Sequence, residues 1–303
     1  MILSTSILTP KDQEPKAVVF FCHGFGDNAA FMKRHIAFRF VKEGIVVATI
    51  EYEGHGSSDG PLCLIPDFDR MVTDVVDYFQ EVSTTRFMGK KCFLMGESMG
   101  GAVSFVAYKK IPSLFSGVEF VAPMCKVSDA LKPAQWVIDL IIAITGPIGS
   151  NGYLGYLPIA PVKQNMDDLT HNDANMRNLS KCHPFLFGRK PRLTTARELL
   201  HVTGNITTQL AAFEAPFLVQ HGLDDQITDP ALSQALYDES ISTDKTIKLY
   251  EGMKHALISD IPADSEIVLK DTIDWILERV DTGKRRKSVT STERRPSTAE
   301  MSG

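Results

Sequence analysis

Apolar and polar positions alternate along this chain in two periods. Residues 17–22 (Ala-Val-Val-Phe-Phe-Cys) are apolar without a break, and residues 45–52, 92–95, 117–122, 216–220 and 246–250, mostly apolar, also read as strands. Short apolar runs of this kind suit parallel strands that are covered on both faces. Between them come stretches with a helical period. The clearest is 66–82, where Phe68, Met71, Val72, Val75, Val76 and Phe79 recur three and four residues apart, with Pro66 placed in the first turn. Residues 31–43, 102–108, 230–237 and 265–280 follow the same pattern, the first ending at Gly44. Strand and helix in turn predict an α/β fold: a mostly parallel central sheet with helices on both faces.

The alternation lapses from Pro123 to Ala215. Two helical stretches, 131–145 and 193–203, flank a Gly-, Pro- and Tyr-rich segment at 146–161. The predicted organisation is therefore one α/β core (1–123 and 216–280) interrupted by a helical insertion (124–215). Residues 281–303 differ in kind. Between 284 and 295 lie six basic side chains and one acidic, Glu293, among serines and threonines, which predicts a disordered basic tail. Two readings stand for this tail: a solvated segment, or one that draws the protein to an anionic membrane surface. Its Arg-Arg-Lys-Ser288 and Arg-Arg-Pro-Ser297 runs suit basophilic kinases, and phosphate there would weaken membrane attraction.

The net charge of −5 argues against a nucleic-acid-binding body. Five cysteines (Cys22, Cys63, Cys92, Cys125, Cys182) without C-x-x-C spacing point to reduced thiols and a cytoplasmic setting, with Cys22, Cys92 and Cys125 packing in the core. The apolar run 136–144 is interrupted by Asp139 and too short to span a bilayer. It is nevertheless apolar nearly all round, so two of its faces need covering.

The chemistry converges on Gly96-Glu97-Ser98-Met99-Gly100-Gly101, which follows one predicted strand and opens a helix. Strand, G-x-S-x-G, helix is a nucleophile elbow: a sharp turn lifts the serine hydroxyl out of the sheet. Side chains at 96 and 100 would collide with neighbouring elements, so both positions favour glycine. Met99 N–H, at the helix start, is placed to hold an oxyanion, and Phe25 N–H in His23-Gly24-Phe25-Gly26 is the second candidate donor. A serine needs a base, and the base an orienting acid. His255, in the loop after the 246–250 strand, holds the base's place in chain order. The acid should follow strand 216–220, where Asp224, Asp225 and Asp229 compete and spacing does not choose. His23, His55 and His221, each followed by Gly, read as loop-bracing imidazoles. No H-E-x-x-H or phosphate-loop motif occurs, so neither a metal nor a cofactor is expected.

These residues resemble the monoacylglycerol lipase family of α/β-hydrolases, especially its plant-type branch, which includes lysophospholipase-like enzymes and caffeoylshikimate esterase. The similarity lies in residues 23–27, Tyr52-Glu53-Gly54-His55-Gly56, residues 96–101, Val121-Ala122-Pro123-Met124-Cys125-Lys126, 192–200, 221–230 and 249–257. The resemblance implies Ser98 as nucleophile, His255 as base, and Asp225, the aspartate of H-G-x-x-D, as acid. It also implies oxyanion amides at Phe25 and Met99, a cap over 124–215, and a lipid ester, monoacylglycerol or lysophospholipid, as substrate, with acyl transfer or a phenolic ester as alternatives and a non-catalytic small-molecule-binding protein on the same fold as a further one. Two departures stand out: the N-terminal segment is short by one leading antiparallel strand, and the basic tail has no counterpart in the family core.

Overall fold

The structure is a computed structural model that describes residues 1–29, 36–125, 134–146, 153–160, 167–182, 190–282 and 289–293. The beginning of the helix expected at 31, the beginning of that expected at 131, Lys126, Gly149, Gly152 and most of the basic tail lie outside these residues.

In chain order the elements of the first half are β1 (Thr5–Leu8), β2 (Ala17–Cys22), α1 (Ala37–Lys42), β3 (Ile45–Ile50), α2 (Phe68–Thr85), β4 (Lys91–Glu97), α3 (Met99–Lys110) and β5 (Phe115–Val121). Then come α4 (Gln135–Thr145), the short turn of helix α5 (Asp167–Thr170), α6 (Ala174–Lys181) and α7 (Leu193–Thr207). β6 (Phe217–Gly222), α8 (Pro230–Glu239), β7 (Lys245–Tyr250), α9 (Pro262–Thr282) and β8 (Val289–Glu293) complete it. The strands form one sheet in the order β1-β3-β2-β4-β5-β6-β7-β8, in which only the β1–β3 pair is antiparallel.

Burial along β2 explains its unbroken apolar run. Val18, Phe20 and Cys22 face one core, with α2 and α3, where Phe20 stacks on Phe79 with ring centroids 4.4 Å apart. Val19 and Phe21 face the other, with Phe40 of α1 and Trp275 and Ile276 of α9. A strand covered on both faces is therefore apolar in either direction, as β2 is along its whole length.

The structure departs from the sequence reading in four places. Pro66 precedes α2 instead of opening it: Asp67 is the N-cap, its Oδ1 accepting from Arg70 N at 3.0 Å. β1 escaped the reading because Thr5–Leu8 is a short, half-exposed edge strand. α6 escaped because it spans only Ala174–Lys181 and is mostly polar, with none of its residues buried; its signal is the cap Asp173, whose Oδ1 accepts from Asn175 N and Met176 N. The expectation of a disordered tail is corrected at Val289–Glu293, which adds a parallel edge strand to β7. Its β-branched Val289, Thr290 and Thr292 suit a strand, and β7 has an edge to share.

Candidate active site

Ser98 sits between β4 and α3 with φ 55° and ψ −120°, a strained conformation for a residue with a side chain. Its backbone is pinned on both sides: Ser98 N–H donates to Val121 O (3.0 Å), and Ser98 O accepts from Met124 N (2.9 Å) and Gly101 N (2.9 Å). The elbow is tight. A Cβ at Gly96 would lie 2.2 Å from Gly100 O, and one at Gly100 would lie 1.9 Å from Cys22 O. Gly24 runs alongside, where an added Cβ would meet Ser98 Cβ at 3.5 Å, so the 23–27 loop lies against the serine.

Asp225 and His255 are brought together from the loops after β6 and β7. His255 Nδ1–H donates to Asp225 Oδ2 at 2.7 Å, which leaves Nε2 as the acceptor in the cleft that His255 and Ser98 both line. Asp225 is held from all sides. Its Oδ1 accepts from Ile227 N (2.8 Å) and Thr228 N (3.2 Å), and its Oδ2 from Thr228 Oγ1 (2.8 Å) and His221 Nε2 (3.0 Å). Burial would raise the Asp225 carboxyl, but the imidazoles of His255 and His221, with their hydrogen bonds, outweigh it and hold the group well below the usual carboxylate range. Burial would lower His255, and the charge and hydrogen bond of Asp225 outweigh that too, so its pKa lies above 6.5. Asp224 is exposed and engages Met253 O through its backbone. Asp229 caps α8 instead, its Oδ1 accepting from Ala231 N at 2.9 Å.

Comparison with known proteins places this arrangement. The Hydrolase_4 family, described as serine aminopeptidase, S33, matches residues 13–262. The chain belongs to this family. It is a serine hydrolase of the α/β type. The Arabidopsis thaliana protein named caffeoylshikimate esterase is 32% identical over 281 residues, covering 92% of this chain and 82% of that one. The monoglyceride lipase homolog of monkeypox virus is 29% identical, covering 88% and 91%. Among solved structures, a soluble variant of Saccharomyces cerevisiae monoglyceride lipase in complex with a substrate analog superposes with a TM-score of 0.78 at 19% identity, covering 92% of each chain.

The hydrolase's cleft has a volume of about 130 Å³ and is lined by Gly24, Phe25, Asp27, Glu97, Thr170, His171, Ser180 and Ser259 as well as the serine and histidine. Phe25 is therefore at the cleft, and Met99 opens α3 directly after Ser98, where the N–H has no acceptor within its own helix. His23 braces this side. Its Nδ1–H donates to Gly24 O (2.9 Å), its ring stacks on Tyr52, and burial, with His55 nearby, lowers it to about 3. His55 donates to Glu53 O at 3.0 Å and is lowered by burial to about 4. Both are neutral and structural at working pH.

Two residues of the site, Thr228 and His171, carried no clear sequence signal, and a third, His221, only part of one. Thr228 bridges Asp225 Oδ2, His255 Nδ1 (3.2 Å) and Ala122 O (3.1 Å). His221 reads as a brace and turns out to brace the acid itself, with Ser233 Oγ at 2.7 Å from its Nδ1. His171 reaches the cleft from the insertion. Its backbone neighbourhood is tied to the His255 loop by Ala256 N to Thr170 O (3.0 Å) and Asn172 Nδ2 to Gly252 O (2.7 Å). Among the described residues no group of His, Cys, Asp and Glu is arranged to hold a metal ion.

Proposed function

We propose that this serine hydrolase cleaves carboxylic esters of lipids through an acyl-enzyme, monoacylglycerol first and lysophospholipid second. Ser98 Oγ attacks the ester carbonyl while His255 Nε2 takes its proton, and Asp225 steadies the imidazolium. The amides of Phe25 and Met99 hold the oxyanion. The proton on His255 then passes to the departing alcohol. Water, activated by the same histidine, cleaves the acyl-enzyme and releases the acid. The observation that carries this reading is the 2.7 Å contact of His255 with Asp225 beside a strained Ser98 that shares its cleft.

The lipid part of the reading draws on the segment 124–215, which we take as a cap. In α4 only Ile141 and Thr145 are buried, whereas Trp136, Leu140, Ile142 and Ile144 are exposed. Leu154, Leu157 and Ile159 add to the exposed apolar surface. Such a surface suits peripheral contact with a lipid phase. No described helix is long and apolar enough to cross a membrane. A phenolic ester is the second reading, favoured by the 32% identity to the protein named caffeoylshikimate esterase.

The test is in two steps. A fluorophosphonate probe should label the wild type and leave Ser98→Ala unlabelled. A panel of monoacylglycerols of several chain lengths, a lysophospholipid and a phenolic ester should then give the highest kcat/KM for a monoacylglycerol. Labelling of the Ser98→Ala protein would end the mechanism, and a phenolic ester at the head of the panel would end the substrate assignment.

A further inference from the structure

β3 ends at Ile50, and the residue after it, Glu51, stands beside the loop that carries Phe25. The parallel register of β2 and β3 pairs Phe21 with Thr49, so two residues further on Glu51 is level with His23. Glu51 is buried, only 4% exposed. Each carboxyl oxygen accepts a backbone N–H, and the two N–H groups come from different loops. Oε1 accepts from Ala29 N at 2.9 Å, and Oε2 accepts from Ser57 N at 2.7 Å. The main chain of Glu51 is tied in as well. Its N–H donates to Ser4 O at 2.8 Å, and its carbonyl accepts from Ser58 Oγ at 2.6 Å.

These two loops shape the oxyanion side of the cleft. The first, 23–29, turns at Gly24–Asp27, where Asp27 N donates to Gly24 O at 3.2 Å and Gly26 takes φ 74°. Its entry is held by His23, stacked on Tyr52, and its exit, Ala29, by Glu51. The second loop, 53–58, carries His55, whose ring meets the Phe25 ring edge to face with centroids 5.8 Å apart. Gly56 lets this loop close on the carboxylate, since an added Cβ would lie 2.3 Å from the Glu51 carboxyl carbon. Glu51 thus fixes the exit of the Phe25 turn and, through Ser57, the loop that packs His55 on Phe25. A buried carboxylate is costly unless its oxygens are taken, so the two amides and the carboxylate hold one another in a single arrangement.

We propose that Glu51 is a positioning residue for oxyanion stabilisation: its carboxylate braces the two loops that direct the Phe25 N–H, so that this donor is aimed before a substrate arrives. This rests on the ester-hydrolase reading above, with Phe25 N–H as one of the two oxyanion donors, and deepens it. Glu51 is not among the described residues that line the cleft, and it acts through the backbone of the two loops. Donors fixed in advance count most where negative charge develops, in the transition state. Slackening the brace should therefore slow the chemical step.

The experiment varies the atom that the donors hold. The full-length protein is given para-nitrophenyl butyrate and its thiono counterpart, in which sulfur replaces the carbonyl oxygen, under single-turnover conditions. Sulfur is larger and accepts hydrogen bonds weakly, so the wild type should favour the oxygen ester by about 100-fold or more. Glu51→Gln replaces one accepting oxygen by a donor NH₂. It should slow the oxygen ester far more than the thiono ester and so shrink the preference by about tenfold. Glu51→Asp, which keeps the charge but draws it back by one methylene, should shrink the preference less. Gly56→Ala displaces the carboxylate without removing it and should act in the same direction. Asp225→Asn is the control: it should slow both esters alike and keep the preference, because it impairs proton transfer. Thermal unfolding curves identify the variants that fold as the wild type does. An unchanged preference in those Glu51 and Gly56 variants would overturn the positioning role alone. Failure of the wild type to cleave para-nitrophenyl butyrate would instead overturn the ester-hydrolase reading.

Discussion

His255 Nδ1 lies 2.7 Å from Asp225 Oδ2, while Asp224, the residue before Asp225, is exposed and donates its backbone N–H to Met253 O. Two adjacent aspartates thus have opposite surroundings. Asp225→Asn should lower kcat by on the order of 10³–10⁴ with folding intact, because the amide no longer fixes the imidazole tautomer. Asp224→Asn should change kcat less than about twofold. Steady-state kinetics on both variants, with circular dichroism to check folding, decides the matter; the reverse ranking would assign the acid to Asp224.

The same contact sets the pH dependence. In the proposed mechanism His255 is neutral when it takes the serine proton, and Asp225 raises its pKa above 6.5. The kcat/KM of the wild type should therefore fall on acidification with a midpoint above pH 6.5. Removing the carboxylate charge takes away the larger raising influence and leaves burial, which lowers, opposed only by the smaller pull of Glu97. The residual activity of Asp225→Asn should accordingly have a midpoint displaced to lower pH. A pH–rate profile of the two proteins measures this, and coincident midpoints would contradict it.

Glu119 of β5 is a second buried acid, outside the cleft. It is fully buried, Thr272 Oγ1 donates to its Oε1 at 3.2 Å, and its Oε2 has no partner among the described groups. Burial, with Glu97 adding and Thr272 opposing, raises its pKa well above 4.5. The unfolded chain releases this proton above pH 4.5 and the folded chain holds it. The protonated folded form therefore loses stability as pH rises from 4.5 towards the folded value. Glu119→Gln removes that dependence. Its Tm relative to wild type should rise steadily between pH 5 and pH 8, as read by differential scanning calorimetry. A flat difference would show that the folded protein stabilises the ionised carboxylate.

Helix α4 allows a test of acyl-chain handling. Ile138 and Ile142 are four residues apart on one side of the helix, half-buried and exposed respectively, so charge there should not unfold the core. The double variant Ile138→Asp with Ile142→Asp should reduce kcat/KM for a long-chain monoacylglycerol by about tenfold or more and for a short soluble ester by less than about threefold. Equal losses on both substrates would mean that α4 does not handle the acyl chain.

Sequence and tertiary structure contributed different parts of this picture, and the division is physical. Local rules determine the strands and the elbow. A strand covered on both faces is apolar at most positions, and a turn in which an added Cβ at Gly100 would lie 1.9 Å from Cys22 O admits only glycine there. Ser98 and the approximate place of His255 were therefore legible from order and spacing. The choice among Asp224, Asp225 and Asp229 was not, because a turn after a strand can aim any of three neighbouring carboxylates. The fold directs Asp225 to His255 by surrounding it with Ile227 N, Thr228 and His221. α6 and His171 were invisible for a related reason. A short, mostly polar helix with no buried residue gives too few apolar positions to read, and His171 lines the cleft in a segment held by groups far along the chain, Ala256 N, Gly252 O and Asp260. Hydrophobic period records which face of an element is covered; it does not record which polar groups meet once the loops at the sheet's edge are folded against one another.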